Sequence, residues 1–243
     1  MITRREAKKM EKIKLGVIVA MDVEMERIEA AMQDAEKQKL SGMIFITGHI
    51  AGVPVVAARC GVGKVCAAMC AQRMIDGFAP ERILGAGIAG GLKDLKPGQV
   101  AIGRDLVQND FILNVFGYED GYLPSIGRVH IESDPEMVAG LVRAAEVLGI
   151  VYEAGTIASG DTFVNDSEKK RYITETFGAI ACEMEGAAIA QVCCMNELPF
   201  AVVRCISDSG DENADEDIET NEALSTAGSA AIVLKFIEFY ARG

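Results

Sequence analysis

The sequence has few basic residues for its length, only two histidines and no long uninterrupted apolar stretch. Against 24 lysines and arginines stand 36 aspartates and glutamates, so the net charge is −12 and the isoelectric point is near 4.7. Binding of a nucleic-acid backbone or an anionic membrane needs a basic surface, so this balance argues against both partners and favours a small neutral or cationic ligand. No apolar run approaches the roughly 18 residues of a membrane helix, and residues 1–12 are interpreted as a polar tail without the apolar core of a signal peptide.

The cysteines and histidines form no recognisable metal or redox motif. The seven cysteines are odd in number, show no CxxC spacing and lie mostly in apolar stretches, which is typical of reduced core cysteines in a cytoplasmic protein. His49 and His130 have no cysteine or histidine partner near them in sequence. We therefore expect neither a zinc site nor a histidine-based triad.

Strand and helix patterns alternate along residues 13–243, which predicts a single α/β domain with a largely parallel sheet covered on both faces. The best-defined helix begins at Pro135, is capped by Asp134 and ends at Gly149. The segment 108–130 has no clear periodicity, and a structured loop of this length is usually functional. Strands are predicted at 13–20, 43–47, 53–59 (a hairpin with the preceding strand), 81–91, 99–108, 150–159, 179–185 and 199–208, and further helices at 22–32, 61–76, 184–196 and from 219 to the end.

Two stretches resemble ligand-binding motifs but lack the context that those motifs require. The glycines of GAGIAG, residues 85–90, fit a dinucleotide-binding pattern, yet Pro97 would break the helix that must follow. These glycines are better explained by close approach of the backbone to a ligand or another strand. The acidic run 211–222 has EF-hand spacing, but Glu216 replaces the obligatory glycine, so a solvated acidic loop is the preferred interpretation.

Carboxylates follow three of the predicted apolar strands. Glu24 follows the first strand, Glu183 and Glu185 follow AIAC, and Asp208 ends PFAVVRCISD. Any one of them alone is more often a solvated surface charge or a helix-start carboxylate. Because open α/β sheets bind ligands at the carboxyl ends of their strands, the co-occurrence of all of these acids favours a catalytic site.

Seven motifs together resemble one family of enzymes. GVIVAMDVEME, CGVGKV, GAGIAGGL, FGYEDGYLP, SGDTFV, CEMEGAAIAQVC and VVRCISDSGD occur over residues 13–240 in the order found in 5′-methylthioadenosine/S-adenosylhomocysteine nucleosidases, of the nucleoside phosphorylase superfamily. The resemblance implies a three-layer αβα sandwich with a twisted mixed β-sheet, a homodimer, and neither metal nor cofactor. It also implies hydrolysis of the N-ribosidic bond with release of adenine.

The resemblance assigns a role to each acid. Asp208 would be protonated and donate to adenine N7, which requires surroundings that raise its pKa, and Ser207 would orient its carboxyl group. Glu24 would act as general base on the attacking water, and Arg204 would help to hold that water. Glu185 would accept hydrogen bonds from the ribose 2′- and 3′-hydroxyls.

The remaining implied contacts surround the sugar, the base and the 5′ group. Met184 would pack against the ribose, with Glu183 in a supporting hydrogen-bonding role. Phe163 would stack on adenine, while backbone groups of Val164 would face its hydrogen-bonding edge. Some residues around the 5′ substituent are expected to come from the dimer partner. The full substrate-binding set is Val62, Ile88, Gly90, Phe116, Tyr118, Pro124, Phe163, Val164, Glu183, Met184, Ser207 and Ile218.

Three departures from the family pattern keep alternatives open. Ile88 stands where a serine is common, Asn109-Asp110 replaces a His-Asp pair, and Ile218 replaces a phenylalanine expected over the 5′ pocket. The alternatives are a related nucleosidase for 5′-deoxyadenosine or futalosine, a phosphate-dependent phosphorylase, and an adenosine-binding protein without turnover. A phosphorylase would need several donors for phosphate, and no arginine cluster is evident in the glycine-rich motifs.

Overall fold

The structure is a computed structural model that describes residues 12–241, so most of the predicted polar tail lies outside the described residues. The strands are β1 (Leu15–Val19), β2 (Gln33–Leu40), β3 (Met43–Ile50), β4 (Val53–Arg59), β5 (Ile83–Gly91), β6 (Val100–Gln108), β7 (Ile131–Glu132), β8 (Tyr152–Ser159), β9 (Ala181–Glu183) and β10 (Phe200–Asp208). The helices are α1 (Asp22–Ala30), α2 (Lys64–Phe78), α3 (Pro135–Leu148), α4 (Ser167–Phe177), α5 (Gly186–Met195) and α6 (Ala214–Tyr240).

The sheet closes partly on itself. Strands β10, β6, β8, β9 and β5 pair in that order, and β10 also pairs with β5, which completes a ring of five strands. From β5 the sheet continues outwards through β1, β4, β3 and β2. Parallel pairs join β1 to β4 and β5, β5 to β10, and β8 to β6 and β9, whereas the other pairs are antiparallel. The largely parallel sheet predicted from the strand and helix alternation is therefore wrong, and the mixed sheet implied by the resemblance is confirmed.

Helices cover both faces of the sheet, which confirms the three-layer arrangement. On one face α1, α3 and α6 pack together over a core that includes Leu15, Val203 and Ile232. On the other face α2 and α5 pack over a second core that includes Phe45 and Met74. Among the described residues, α6 alone has the length and mean hydropathy (1.2) to cross a membrane. It packs on β10 and β5, and 44% of its apolar window is buried in the structure.

Besides the two-residue strand β7, two elements were missed at the sequence level, for different reasons. Strand β2, with the sequence QDAEKQKL, is an exposed edge strand along nearly its whole length, so it has no alternation of buried and exposed residues. Helix α4 buries only Ile173 and Phe177, one turn apart, and the rest of its surface is polar. The predicted starts of three helices also shift: α2 begins at Lys64, α5 at Gly186 and α6 at Ala214.

Candidate active site

The acids expected at a single sheet edge do meet, but by a different route. Strands β1 and β10 run parallel to β5 on its two sides, so their carboxyl ends point the same way. Strand β9 runs antiparallel to β5, with Cys182 opposite Gly90. Glu183 and Glu185 therefore reach the cavity from a strand that runs in the opposite direction to β5. The prediction that three strands end at one shared edge is wrong for β9.

These strands enclose a cavity of about 220 Å³. Its wall combines carboxylates and one guanidinium with apolar side chains, as is typical of small-molecule sites. Among the predicted site residues the cavity is lined by Glu24, Val62, Ile88, Gly90, Phe163, Glu183, Met184, Glu185, Arg204, Ser207, Asp208 and Ile218. Ala20, Met21, Ala89 and Cys182 complete the lining and were not predicted.

Asp208 is almost completely buried at one end of this cavity. It lies at an irregularity in β10, where Ser207 adds an extra residue between the partners of Ala89 and Gly90 on β5. A Cβ on Gly90 would lie only 2.8 Å from Asp208 Oδ1, so the carboxyl group fits here because residue 90 has no side chain. Burial raises the pKa of Asp208, although hydrogen bonds from Ser207 and from the Gly210 N–H lower it in part.

The contacts of Ser207 suit a protonated Asp208. Ser207 Oγ lies 2.7 Å from Asp208 Oδ2 and 3.3 Å from the carbonyl oxygen of Ala89, and its single proton satisfies one of these acceptors. When Asp208 is protonated, its O–H can donate to Ser207 Oγ, which then donates to Ala89. The Gly210 N–H donates to Asp208 Oδ1 over 2.8 Å in either case. The neutral acid is thus accommodated without an unpaired polar atom.

Glu24 is buried in the first turn of α1 and accepts three backbone hydrogen bonds. Its Oε2 accepts from the N–H groups of Ala20 (2.8 Å) and Met21 (2.9 Å), and its Oε1 accepts from the N–H of Ile88 (3.1 Å). All three partners are donors, which is the set that an ionised carboxylate requires. Ile88 therefore contributes its backbone to the site although its side chain cannot form a hydrogen bond.

Arg204 lies fully buried beneath the same region. Its Nη1 donates to the carbonyl oxygen of Ala86 over 3.0 Å, and its Nη2 donates to Glu183 and, over 3.4 Å, to Glu185. Its Nε–H has no hydrogen-bond partner among the described residues. A buried donor of this kind is costly unless a ligand or solvent oxygen satisfies it.

A glycine brings the Arg204 side chain close to Glu24. A Cβ on Gly87 would lie 2.1 Å from Arg204 Nη1 and 2.6 Å from Glu24 Oε1, so both groups converge on the space beside this residue. No other amino acid fits at position 87 without displacing one of them. The sequence shows GAGIAG, but only the structure shows that its central glycine leaves room for the Glu24 carboxylate and the Arg204 guanidinium to approach each other.

Glu183 and Glu185 face the same arginine but differ in their remaining contacts. Glu183 ends β9 and accepts hydrogen bonds from Ser159 Oγ and from the backbone N–H groups of Glu185 and Gly186, so it also caps α5. Its acceptor capacity is fully used by protein groups. Both residues precede the helix, because α5 begins at Gly186, and helical spacing therefore does not separate their side chains.

Glu185 keeps acceptor capacity directed at the cavity. Its Oε1 accepts from the Gly63 N–H over 2.9 Å, and its Oε2 lies near Arg204. Burial raises the pKa of Glu185 to about 7, with Glu183 adding to the rise while Arg204 opposes it. The carboxylate thus retains room for hydroxyl donors from a ligand.

The predicted aromatic and 5′-side residues are divided between two places. Phe163 lines the cavity, and Val164 borders a small adjoining space of about 30 Å³. Phe116, Tyr118 and Pro124 do not line the cavity of this chain. They are exposed in the segment 111–126, and the Phe116 side chain is 74% exposed.

Sequence reasoning missed several positions that hold the site together, among them Ala20 and Met21, whose N–H groups bind Glu24. The Gly63 N–H binds Glu185, Ser159 donates to Glu183, and Cys182 lines the wall beside Asp208. Ser159 could have been noticed as a hydroxyl that ends an apolar strand. Gly63 and Cys182 act through a backbone N–H and through position, for which the sequence carries no local signal.

Fold and site together define the class of the protein. Residues 14–238 match the family described as "Phosphorylase superfamily". The chain is 35% identical to the 5′-methylthioadenosine/S-adenosylhomocysteine nucleosidase of Shewanella sp. (strain MR-7), over 93% of this chain and 97% of the relative. It therefore belongs to the 5′-methylthioadenosine/S-adenosylhomocysteine nucleosidase family within that superfamily.

Solved structures agree with this placement. The nucleosidase of Neisseria meningitidis in complex with methylthio-immucillin-A superposes with a TM-score of 0.90 at 36% identity, covering 93% of this chain and 99% of that one. The futalosine hydrolase of Helicobacter pylori superposes with a TM-score of 0.89 at 32% identity, covering 93% and 98%. Both similarities span 93% of this chain.

Proposed function

We propose that this protein hydrolyses the N-ribosidic bond of 5′-methylthioadenosine and S-adenosylhomocysteine and releases adenine. One observation carries the proposal: a buried carboxyl group with a raised pKa, Asp208, faces Glu24, Arg204 and Glu185 across a single cavity. The names of the relatives and the analogue bound to the Neisseria meningitidis enzyme agree with this chemistry.

Departure of adenine requires an acid. Cleavage of the ribosyl bond leaves negative charge on the purine, and Asp208 would neutralise it by protonating N7. Its burial favours the neutral form that holds the proton before reaction. Phe163 would stack on the base from the cavity wall, and Val164 would offer backbone groups to the hydrogen-bonding edge of adenine.

The sugar and the water occupy the other end of the cavity. Glu24 is held by three N–H donors and would take a proton from the attacking water. Arg204 has an unpartnered Nε–H in the same region and would help to hold that water. Glu185 would accept hydrogen bonds from the ribose hydroxyls, and Met184 would pack against the ring. These residues position the nucleophile against an oxocarbenium-like sugar.

The rival functions differ in what the cavity must supply. A related nucleosidase remains the nearest alternative, because the chain also resembles a futalosine hydrolase and apolar pockets discriminate weakly between similar substituents. A phosphorylase needs cationic donors for phosphate, but within residues 12–241 Arg204 is the one cation that lines the cavity, and it already pairs with two carboxylates. Hydrolysis is therefore favoured over phosphorolysis.

A substrate panel tests the proposal. Release of the purine base is measured with and without phosphate, as adenine from methylthioadenosine, S-adenosylhomocysteine and 5′-deoxyadenosine, and as hypoxanthine from futalosine and inosine. We expect phosphate-independent release that is fastest from the two proposed substrates, because Val62 and Ile218 provide an apolar wall for a thioether. A rate that requires phosphate would instead identify a phosphorylase. Tight binding of adenosine analogues without release from any substrate would identify a binding protein, with Ile88 as the departure to examine first.

We also propose that the protein is a homodimer. Apolar side chains are exposed along α2 and on the segment 111–118, and a Lys64–Asp110 ion pair of 2.5 Å ties these two surfaces together. Large exposed apolar patches mark interaction sites, and a second copy would bring Phe116, Tyr118 and Pro124 towards the cavity of its partner. The exposed residues are Val62, Val65, Met69, Ile112, Val115, Phe116 and Tyr118.

Met69→Glu tests the dimer. A charge in the middle of this surface should turn the protein into a monomer in sedimentation velocity, and adenine release should fall because the 5′ side of the pocket is left incomplete. Val147→Glu is the matched control, since Val147 is exposed on α3, which belongs to the opposite face of the sheet. A wild-type protein that sediments as a monomer would exclude the homodimer.

The cysteines and the ring of five strands support a single domain in the cytoplasm. All seven cysteines are free thiols, which fits a reducing compartment. The ring of five strands draws on residues 83–208, so the site cannot be divided between separately folding halves. We therefore infer one domain over residues 13–243 and a cytoplasmic location.

A further inference from the structure

Two loops meet beside Glu185. The first loop contains Gly63, whose N–H binds Glu185 Oε1 and which precedes α2. Gly63 has φ +99°, a conformation that favours glycine, so the direction of its N–H depends on the local backbone. The second loop, after β8, contains Asp161 and leads to Phe163 in the cavity wall.

Asp161 joins these loops directly. Its Oδ1 accepts the backbone N–H of Lys64 over 2.8 Å, so it caps α2 from a distant part of the chain. A Cβ on Gly63 would lie 3.1 Å from the same oxygen, which shows how closely the carboxylate packs against this turn. The peptide whose N–H holds Glu185 is thus one residue away from the group that Asp161 fixes.

Asp110 holds this arrangement from the end of β6. Its Oδ2 accepts the backbone N–H of Asp161 over 2.8 Å, and its Oδ1 pairs with Lys64 Nζ over 2.5 Å. Gln108 also accepts from Lys64 Nζ over 3.0 Å. One carboxylate therefore restrains both the Asp161 backbone and the Lys64 side chain.

We propose that Asp161, held by Asp110, is a positioning residue that fixes the Gly63 peptide so that its N–H orients Glu185 in the cavity. Because Phe163 follows Asp161 by two residues, the hydrogen bonds of Asp161 also link the position of Phe163, on the purine side, to that of Glu185, on the ribose side. The assignment of ribose to Glu185 rests on the proposed function, but the Asp161–Gly63–Glu185 geometry does not.

The charge state of Glu185 offers a direct readout. Burial raises the pKa of Glu185 to about 7, and the hydrogen bond from the Gly63 N–H opposes this rise. The other charged or titratable groups that face Glu185 are Arg204 on β10, Glu183 on β9, Glu24 on α1 and Cys60 after β4. Asp161 contacts none of these groups in the described structure, so its removal should act through Gly63.

The test is a ¹³C NMR titration of carboxyl-labelled glutamate, with the Glu185 signal assigned by Glu185→Gln. In Asp161→Ala the midpoint should move upwards by about half a pH unit or more, because a hydrogen bond to the ionised carboxylate weakens. The low-pH limb of kcat/KM should shift in the same direction, and kcat/KM at its optimum should fall about tenfold as Glu185 loses alignment. Asp161→Asn retains an acceptor for the Lys64 N–H and should keep the wild-type midpoint.

Asp134→Ala is the matched control. Asp134 also accepts a helix-start N–H through Oδ1, from Met137 over 2.9 Å, but it caps α3 rather than α2. The Asp134→Ala variant should be less stable than the wild type, and its Glu185 midpoint should be unchanged. If Asp161→Ala does not fold, Asp110→Ala should raise the Glu185 midpoint, because it removes the contacts of Asp110 with the Asp161 N–H and Lys64. An unchanged Glu185 midpoint in the folded variant overturns the proposal. Absence of adenine release by the wild type would instead refute the proposed function, and the NMR titration would still decide whether Asp161 positions Glu185.

Discussion

Asp208→Asn is expected to lower kcat for adenine release by about 10³-fold, within the range that general acids contribute, while leaving nucleoside binding nearly unchanged. The asparagine amide can accept from the Gly210 N–H and donate to Ser207 Oγ, so it reproduces the contacts of the protonated acid. It cannot release a proton to the leaving purine. A single-turnover assay together with calorimetric binding separates the two effects.

The pH dependence of the wild type should agree with that result. Because the reaction needs the protonated form, kcat should fall as pH rises through the pKa of Asp208. Burial raises this pKa, so activity should persist to higher pH than an ordinary aspartate would allow. Asp76→Asn, at an exposed position of α2 that is not among the groups shifting the pKa of Asp208, should leave the profile unchanged. Full turnover by Asp208→Asn would show that another group protonates adenine.

Glu24→Gln should reduce hydrolysis by about 10³-fold, because the water loses its base. Glutamine also disturbs the pocket: if its oxygen faces the Ala20 and Met21 N–H groups, its NH₂ faces the Ile88 N–H, and two donors then oppose each other. We therefore expect nucleoside binding to weaken modestly, by less than about tenfold, alongside the much larger loss of rate.

Glu24→Asp and Glu26→Gln separate these two causes. The aspartate keeps two acceptor oxygens but withdraws them from the water, so it should bind substrate normally and turn over slowly. Glu26 is exposed on the same helix, and its change to glutamine should be silent. An active Glu24→Gln enzyme would exclude the general-base role, and the Arg204 side of the cavity would become the place to look for water activation.

The sequence was informative wherever burial imposed a pattern. Apolar strands and the capped helix α3 were located within a few residues, and the acids that line the cavity were recognised because they follow such strands. Strand β2 has no buried face, and helix α4 has only two buried side chains, so periodicity carried no signal for either. Local patterns detect what a segment buries rather than what it pairs with.

The hydrogen-bonded supports of the site could not have been predicted in the same way. Gly63, Ile88 and Ala20 act through backbone N–H groups, which every sequence carries at almost every position. Asp161 looks like one more loop carboxylate until its distance to Lys64 is known. The antiparallel course of β9 was equally hidden, because its three residues contain no information on direction.

The ring of five strands has a consequence for the folding of the nascent chain on the ribosome. Strand β10 is the last strand in the sequence, yet it lies between β5 and β6 and pairs with both. Until it emerges, the nascent chain displays two unpaired strand edges, a state prone to association. Arg204 and Asp208 arrive on this same strand, so closure of the barrel and completion of the cavity are one late event of synthesis. A chain that ends before β10 has an open sheet and lacks both Arg204 and Asp208, so its cavity is incomplete.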